Sequence, residues 1–132
     1  MLRQRTLQRE VTAAGIGLHS GKLIWITIKP SEVNTGVTFR RKDLSTIKDV
    51  RVSVARVVST NLASTIDEDG VTISTVEHLM AALSGLGIDN VLVEVTGSEI
   101  PIMDGSASSF VYLLKSAGIK EQVESKKFVE IT

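Results

Sequence analysis

Apolar and polar residues alternate at two periods along this chain, and the changes of period mark its elements. From Leu23 to Lys29, Ile24, Ile26 and Ile28 alternate with Leu23, Trp25 and Thr27, which predicts a strand with one core face, ended by Pro30. A turn at Asn34, Thr35 and Gly36 leads to a half-exposed strand in which Val37 and Phe39 alternate with Thr38 and Arg40. Val50, Val52 and Val54 mark another strand, and Leu62–Ile66 with Val71–Ser74 form a hairpin around Asp67-Glu68-Asp69-Gly70. Nearer the start, Thr6–Thr12 is a weakly patterned strand and Ala13–Gly21 a glycine-punctuated turn.

The period changes to the helical one at Ser74–Asn90. Ser74 and Glu77 form a capping-box pattern, and Val76, Leu79, Met80, Leu83 and Leu86 recur on one face. Either Gly85 or Gly87 supplies the left-handed stop, the second pairing Leu83 with Ile88 across a Schellman-type cap. Val91, Val93 and Val95 then predict a buried-face strand. Turns follow at Pro101 and Asp104-Gly105, and Ser106 is placed to cap a second helix. In that helix Phe110, Leu113, Leu114 and Ala117 share a face, and Gly118 with Ile119 closes it. The final KKFVEIT reads as a strand that begins and stops, so the chain is expected to end short of a further segment. The fold expected for residues 1–132 is one α+β domain, a largely antiparallel sheet with two helices packed on one face.

The first helix also carries candidate chemistry. Opposite its apolar stripe, His78 falls among Ala81, Ala82 and Gly85, with Glu77 to one flank. A solvated back face normally holds Lys and Glu, so these small residues predict a helix covered on both sides. Glu77 reads either as the reciprocal partner of the Ser74 cap or as a carboxylate available for proton transfer. His78 reads either as an ordinary first-turn polar residue or as a metal ligand; EH lacks the second histidine of HExxH.

Composition narrows the classes. Forty-two per cent hydrophobic residues over 132 positions suffice for one core. Fifteen basic and fifteen acidic residues cancel, which gives no support for a nucleic-acid partner, and three Phe, one Tyr and one Trp are too few for a base-stacking platform. With no cysteine, disulfide scaffolds and thiolate zinc sites are excluded, so a metal must use His, Asp or Glu. No stretch approaches the length of a membrane span and MLRQRTLQREV lacks a signal-like apolar run, so the expected location is cytoplasmic.

Three segments, QRTLQREVTAAGIGLHSGK, ISTVEHLMAALSGLGIDNV and EIPIMDGSASSFVYLL, together resemble the zinc-dependent UDP-3-O-acyl-N-acetylglucosamine deacetylases of Gram-negative lipid A biosynthesis. The resemblance runs from Arg3 to the final KKFVEI and covers the first half of the family's usual length. It implies that Glu77 of TVEH is the general acid/base and His78 the first of three Zn2+ ligands. A second, missing domain would supply the other two ligands from a His-Lys-x-x-Asp motif, as well as a later catalytic histidine and the groups that grip the nucleotide sugar. His19, in GLHSG, matches a motif near the active site, and Thr60 and Asn61 fall in a loop that approaches the metal. The implied architecture is two similar domains packed helix layer against helix layer, the second lying on Ala81, Ala82 and Gly85. For this chain alone the expectation is an inactive part of a hydrolase whose exposed helix face drives self-association. The alternative from another class is a binding or structural α+β domain with no metal and no turnover.

Overall fold

The computed structural model describes residues 2–44, 49–52, 65–68, 71–103 and 108–126. Within them the chain runs β1 (Arg3–Leu7), β2 (Val11–Ile16), β3 (Leu23–Pro30), β4 (Val37–Arg41), β5 (Asp49–Val52), β6 (Thr65–Glu68), β7 (Val71–Ser74), α1 (Glu77–Gly85), β8 (Val91–Val95), α2 (Ser108–Ala117) and β9 (Ile119–Ser125). Five strands form the central sheet in the order β2-β3-β8-β4-β5, antiparallel throughout except for the parallel β4–β8 pair. Two-stranded antiparallel pairs, β1–β9 and β6–β7, complete the described strands.

The alternation in β3, β4 and β8 decides which face of the sheet is covered. Register places Ile28 and Phe39 on either side of Val93, and Ile26 beside Val95. All five side chains are fully buried. Against this face pack Leu79, Met80, Ala82 and Leu83 of α1 and Phe110, Leu114 and Ala117 of α2, in one continuous cluster. At about 1.5–3 kcal/mol for each large apolar side chain removed from water, this cluster is the main stabilising term of the domain. The described residues therefore form an α+β fold with α1 and α2 on one face, as the patterning predicts.

The opposite face is crossed by a row of charges drawn from four adjacent strands. Lys29 Nζ lies 2.9 Å from Glu94 Oε1, Arg40 Nη1 donates to Glu94 Oε2 at 3.3 Å, and the Arg40 guanidinium grips Asp49 through two bonds of 2.7 and 2.9 Å. The Glu94 side chain is only 6% exposed. Burial pushes its carboxyl up, but the hydrogen bond and charge of Lys29, with Lys42 and Arg40, outweigh burial and hold it below its ordinary value.

A buried amide network fixes the connection from α1 to β8. Asn90 Nδ2 donates to Gln4 Oε1 at 2.8 Å and to Gln122 Oε1 at 2.7 Å, while Gly36 N–H donates to Asn90 Oδ1 at 2.9 Å. Gln4 in turn donates to Asn34 Oδ1 at 2.8 Å. One asparagine thereby joins β1, β9 and the 34–36 turn, where Asn34 and Gly36 both have positive φ.

Several expected boundaries move. Thr6–Thr12 is not one strand: Thr6 and Leu7 end β1, which pairs with β9, whereas Val11 and Thr12 begin β2, which pairs with β3. Ala13–Ile16 belong to β2 rather than to a turn, which shortens the turn to 17–21, closed by Gly17 N–H to Lys22 O and Gly21 N–H to Gly17 O. Asp67 and Glu68 lie in β6, opposite Thr72 and Val71, rather than in the hairpin loop. The helix stop falls at Gly87, φ 67°, with Ile88 N–H to Leu83 O at 2.9 Å and Gly87 N–H to Ser84 O at 3.1 Å, the Schellman pattern. The expected features at Val54, Leu62–Ser64, Asp69-Gly70, Asp104-Gly105, Ser106 and the last six residues lie outside the described residues. Among the described residues no helix is long and apolar enough to cross a membrane.

Candidate functional site

The start of α1 is built differently from the capping box that its sequence spells. Ser74 is the last residue of β7; its N–H donates to Ser98 O and its carbonyl accepts from Ile100 N–H, both at 2.9 Å. Thr75 then takes a left-handed conformation, φ 61°, and Val76 occupies the N-cap position with no side-chain cap bond. Ser74 thus stands before the N-cap residue, bonded to the 98–100 segment, and does not cap the helix. Glu77 is therefore not a capping partner. It opens the first helical turn at an exposed position, where the helix macrodipole favours a negative charge.

His78 follows, half-buried, and Leu79 and Met80 turn into the core. Among the described residues no hydrogen bond or ion pair engages the Glu77 carboxylate or the His78 imidazole. Of the small residues grouped with His78, Ala81 and Gly85 are exposed, but Ala82 is buried in the core cluster. Ala82 lies only about 60° round the helix from Leu79, close enough to the apolar stripe to be covered by it. A Cβ at Gly85 would meet nothing within 4 Å. Within the described residues α1 is thus covered on one side, not two.

The GLHSG turn meets this helix through a residue that sequence reasoning passed over. Glu99 is 2% exposed and forms a parallel bridge with Ser74. Its carboxylate accepts the backbone N–H of His19 at 3.0 Å on Oε1 and that of Ser20 at 2.9 Å on Oε2. Gly17 is the residue that admits the carboxylate, since a Cβ there would lie 2.7 Å from Glu99 Oε2 and 2.6 Å from Ser20 Oγ. Burial raises the Glu99 carboxyl, yet the His19 and Ser20 N–H bonds, with the Ser20 hydroxyl and the His19 charge, outweigh it and hold the group below its usual value. The signal in the sequence is a single acid leading into the apolar Ile100-Pro101-Ile102: a carboxylate taken out of water there needs donors, and a glycine-punctuated turn offers backbone N–H groups.

The structure therefore links His19 to the start of α1 through Glu99 and Ser74. The imidazole of His19 belongs to an exposed residue of the turn. Thr60 and Asn61 lie outside the described residues. Among the described residues no group of three or more His, Cys, Asp or Glu side chains is gathered for a metal ion. What the donor set offers at α1 is one accessible imidazole beside one free carboxylate. That fits one ligand and one proton acceptor of a zinc site whose other ligands come from elsewhere.

The family model of LpxC, UDP-3-O-acyl N-acetylglycosamine deacetylase, matches residues 4–132. The chain belongs to this family. It is 51% identical over 131 residues to a UDP-3-O-acyl-N-acetylglucosamine deacetylase of Marinobacter nauticus, and 50% identical over 131 residues to proteins of that name from Saccharophagus degradans and Alcanivorax borkumensis. Each match covers 99% of this chain and 43% of the relative, so the chain spans less than half the length of the curated deacetylases it matches. Membership of the deacetylase family thus extends over the GLHSG turn, Glu99 and the Glu77–His78 pair alike.

Proposed function

We propose that the protein containing this chain removes acetate from UDP-3-O-acyl-N-acetylglucosamine in lipid A biosynthesis, with Glu77 as general base and His78 as one ligand of a catalytic zinc. The observation that carries this reading is the adjacent, unengaged Glu77 and His78 at the open end of α1, in a chain that belongs to the deacetylase family over residues 4–132. When bound by His78 and by ligands from the remainder of the longer protein, zinc supplies Lewis-acid polarisation of the acetamide carbonyl.

The chain's own contribution is proton handling at the Glu77 carboxylate. As the water oxygen bonds to the carbonyl carbon, Glu77 accepts the water's proton; as the carbon–nitrogen bond breaks, a proton reaches the departing sugar nitrogen and leaves a free amine and acetate. A first-turn position suits this task, because the rigid helix fixes the carboxylate beside His78. The remaining zinc ligands and the grip on the nucleotide sugar belong in this reading to a second domain, placed against the exposed Ala81 and Gly85 side of α1. The 132-residue chain alone is then inactive.

Acetate release by the full-length protein and its Glu77→Ala variant tests the assignment. A loss of about 10²–10⁴-fold in kcat with the fold retained is expected. Equal activity of the two proteins would remove Glu77 from the mechanism, and no acetate release by the wild type would favour a non-catalytic binding domain.

A further inference from the structure

We propose that Glu99 is a positioning residue of the deacetylase, whose buried carboxylate clamps the 17–21 turn and ties the placement of His19 to the start of α1. The proposal rests on the deacetylase reading above and extends it to a residue outside the Glu77–His78 pair. Three independent features of the structure converge on the clamp. Glu99 Oε1 and Oε2 each accept a different backbone N–H, from His19 and Ser20, so the carboxylate spans two consecutive peptides of the turn. Gly17 leaves no room for a side chain between the turn and Glu99 Oε2. On the other side the Glu99 backbone is bridged to Ser74, whose N–H and carbonyl bond Ser98 and Ile100 immediately before Thr75 turns into α1. The 17–21 turn and the residues that lead into α1 are far apart in sequence, yet the Glu99 side chain and the 98–100 backbone together join them.

A carboxylate is required for chemical reasons. Both of its oxygens accept and neither donates, which matches two N–H groups; a glutamine amide would turn an NH₂ toward one of them, and an aspartate is one methylene short. The Glu99 carboxylate bonds His19 and Ser20 and not Glu77 or His78. It acts on the reaction through the turn that carries His19.

The test is a double-mutant cycle in the full-length protein with Glu99→Gln and His19→Ala, read as kcat and KM for acetate release. The expected result is a fall in kcat/KM of about tenfold for Glu99→Gln in the wild-type background and less than about twofold in the His19→Ala background, since a displaced turn has nothing left to misplace. Gly17→Ala keeps Glu99 but drives a Cβ into the carboxylate, and is expected to reproduce the Glu99→Gln defect. Equal losses in both backgrounds, or full activity of both Glu99→Gln and Gly17→Ala, would overturn the proposal. Amide exchange at His19 and Ser20 provides a readout that does not depend on the reaction. The clamp predicts exchange at least about tenfold faster in Glu99→Gln with distant β8 amides unchanged; unchanged exchange at His19 and Ser20 would overturn it even where the wild type proves to have no deacetylase activity.

Discussion

At the N-terminus of α1 an exposed carboxylate and a half-buried imidazole are consecutive residues, and the backbone just before them is already bonded to another segment. That arrangement separates two roles that sequence alone leaves merged in Glu77. A capping box would make Ser74 and Glu77 jointly stabilising, and Ser74→Ala would cost about 1 kcal/mol. In the structure the Ser74 hydroxyl makes one long bond, 3.3 Å to Ser98 O, at a solvent-exposed position. Ser74→Ala is therefore expected to change the unfolding free energy by less than about 0.5 kcal/mol in urea denaturation. A loss near 1 kcal/mol would restore the cap and weaken the case for a free Glu77. Glu99 teaches the same lesson from the other side: its partners are backbone N–H groups of a turn some eighty residues earlier, and backbone donors leave no letter in the sequence.

Among the elements, the outer face of the sheet makes a prediction about acid. Glu94 joins Lys29, Arg40 and Lys42 across three strands, and its carboxyl sits below its usual 4.5 in the folded protein. A carboxyl lowered on folding contributes stability that is fully present above its unfolded value and is lost as pH falls through the folded one. Urea unfolding should therefore show constant stability above about pH 6 and a decline below about pH 4.5, with a shallower decline in Glu94→Gln. At neutral pH that variant should be less stable by about 1–3 kcal/mol, because it leaves cations beside a site built for a charge. An identical acid profile in both proteins would assign the decline to other carboxylates, Asp43, Asp49 and Glu99 among them.

Elements governed by local pattern were legible in the sequence: β3 and β8 from strict alternation, and the end of α1 from Leu83, Gly87 and Ile88. The β1–β9 pair was not. Its partners Arg3 and Ser125 stand at opposite ends of the chain, and β9 keeps no regular alternation because most of its side chains face solvent. Thr6–Thr12 likewise reads as one strand, since the break at Gln8–Glu10 is a change of pairing partner, from β9 for β1 to β3 for β2, that no local pattern marks. The site divides likewise. Glu77 and His78 were legible as a motif, whereas the clamp that joins GLHSG to their helix depends on contacts that only the fold creates.

For the molecule as a whole, the relevant fact is that the chain spans 43% of its deacetylase relatives and leaves Ala81, Ser84 and Gly85 exposed beside the candidate pair. A single accessible imidazole cannot hold a catalytic zinc, which takes three protein ligands. In the proposed mechanism His78 is one ligand of a site completed by the rest of the protein. Zinc content of the 132-residue chain and of the full-length protein, each beside its His78→Ala variant, decides the point. Little or no zinc is expected in either form of the short chain, with about one zinc per full-length molecule and a large loss of affinity on His78→Ala there. Stoichiometric zinc in the short chain that disappears with His78, or full-length zinc binding indifferent to His78, would contradict it.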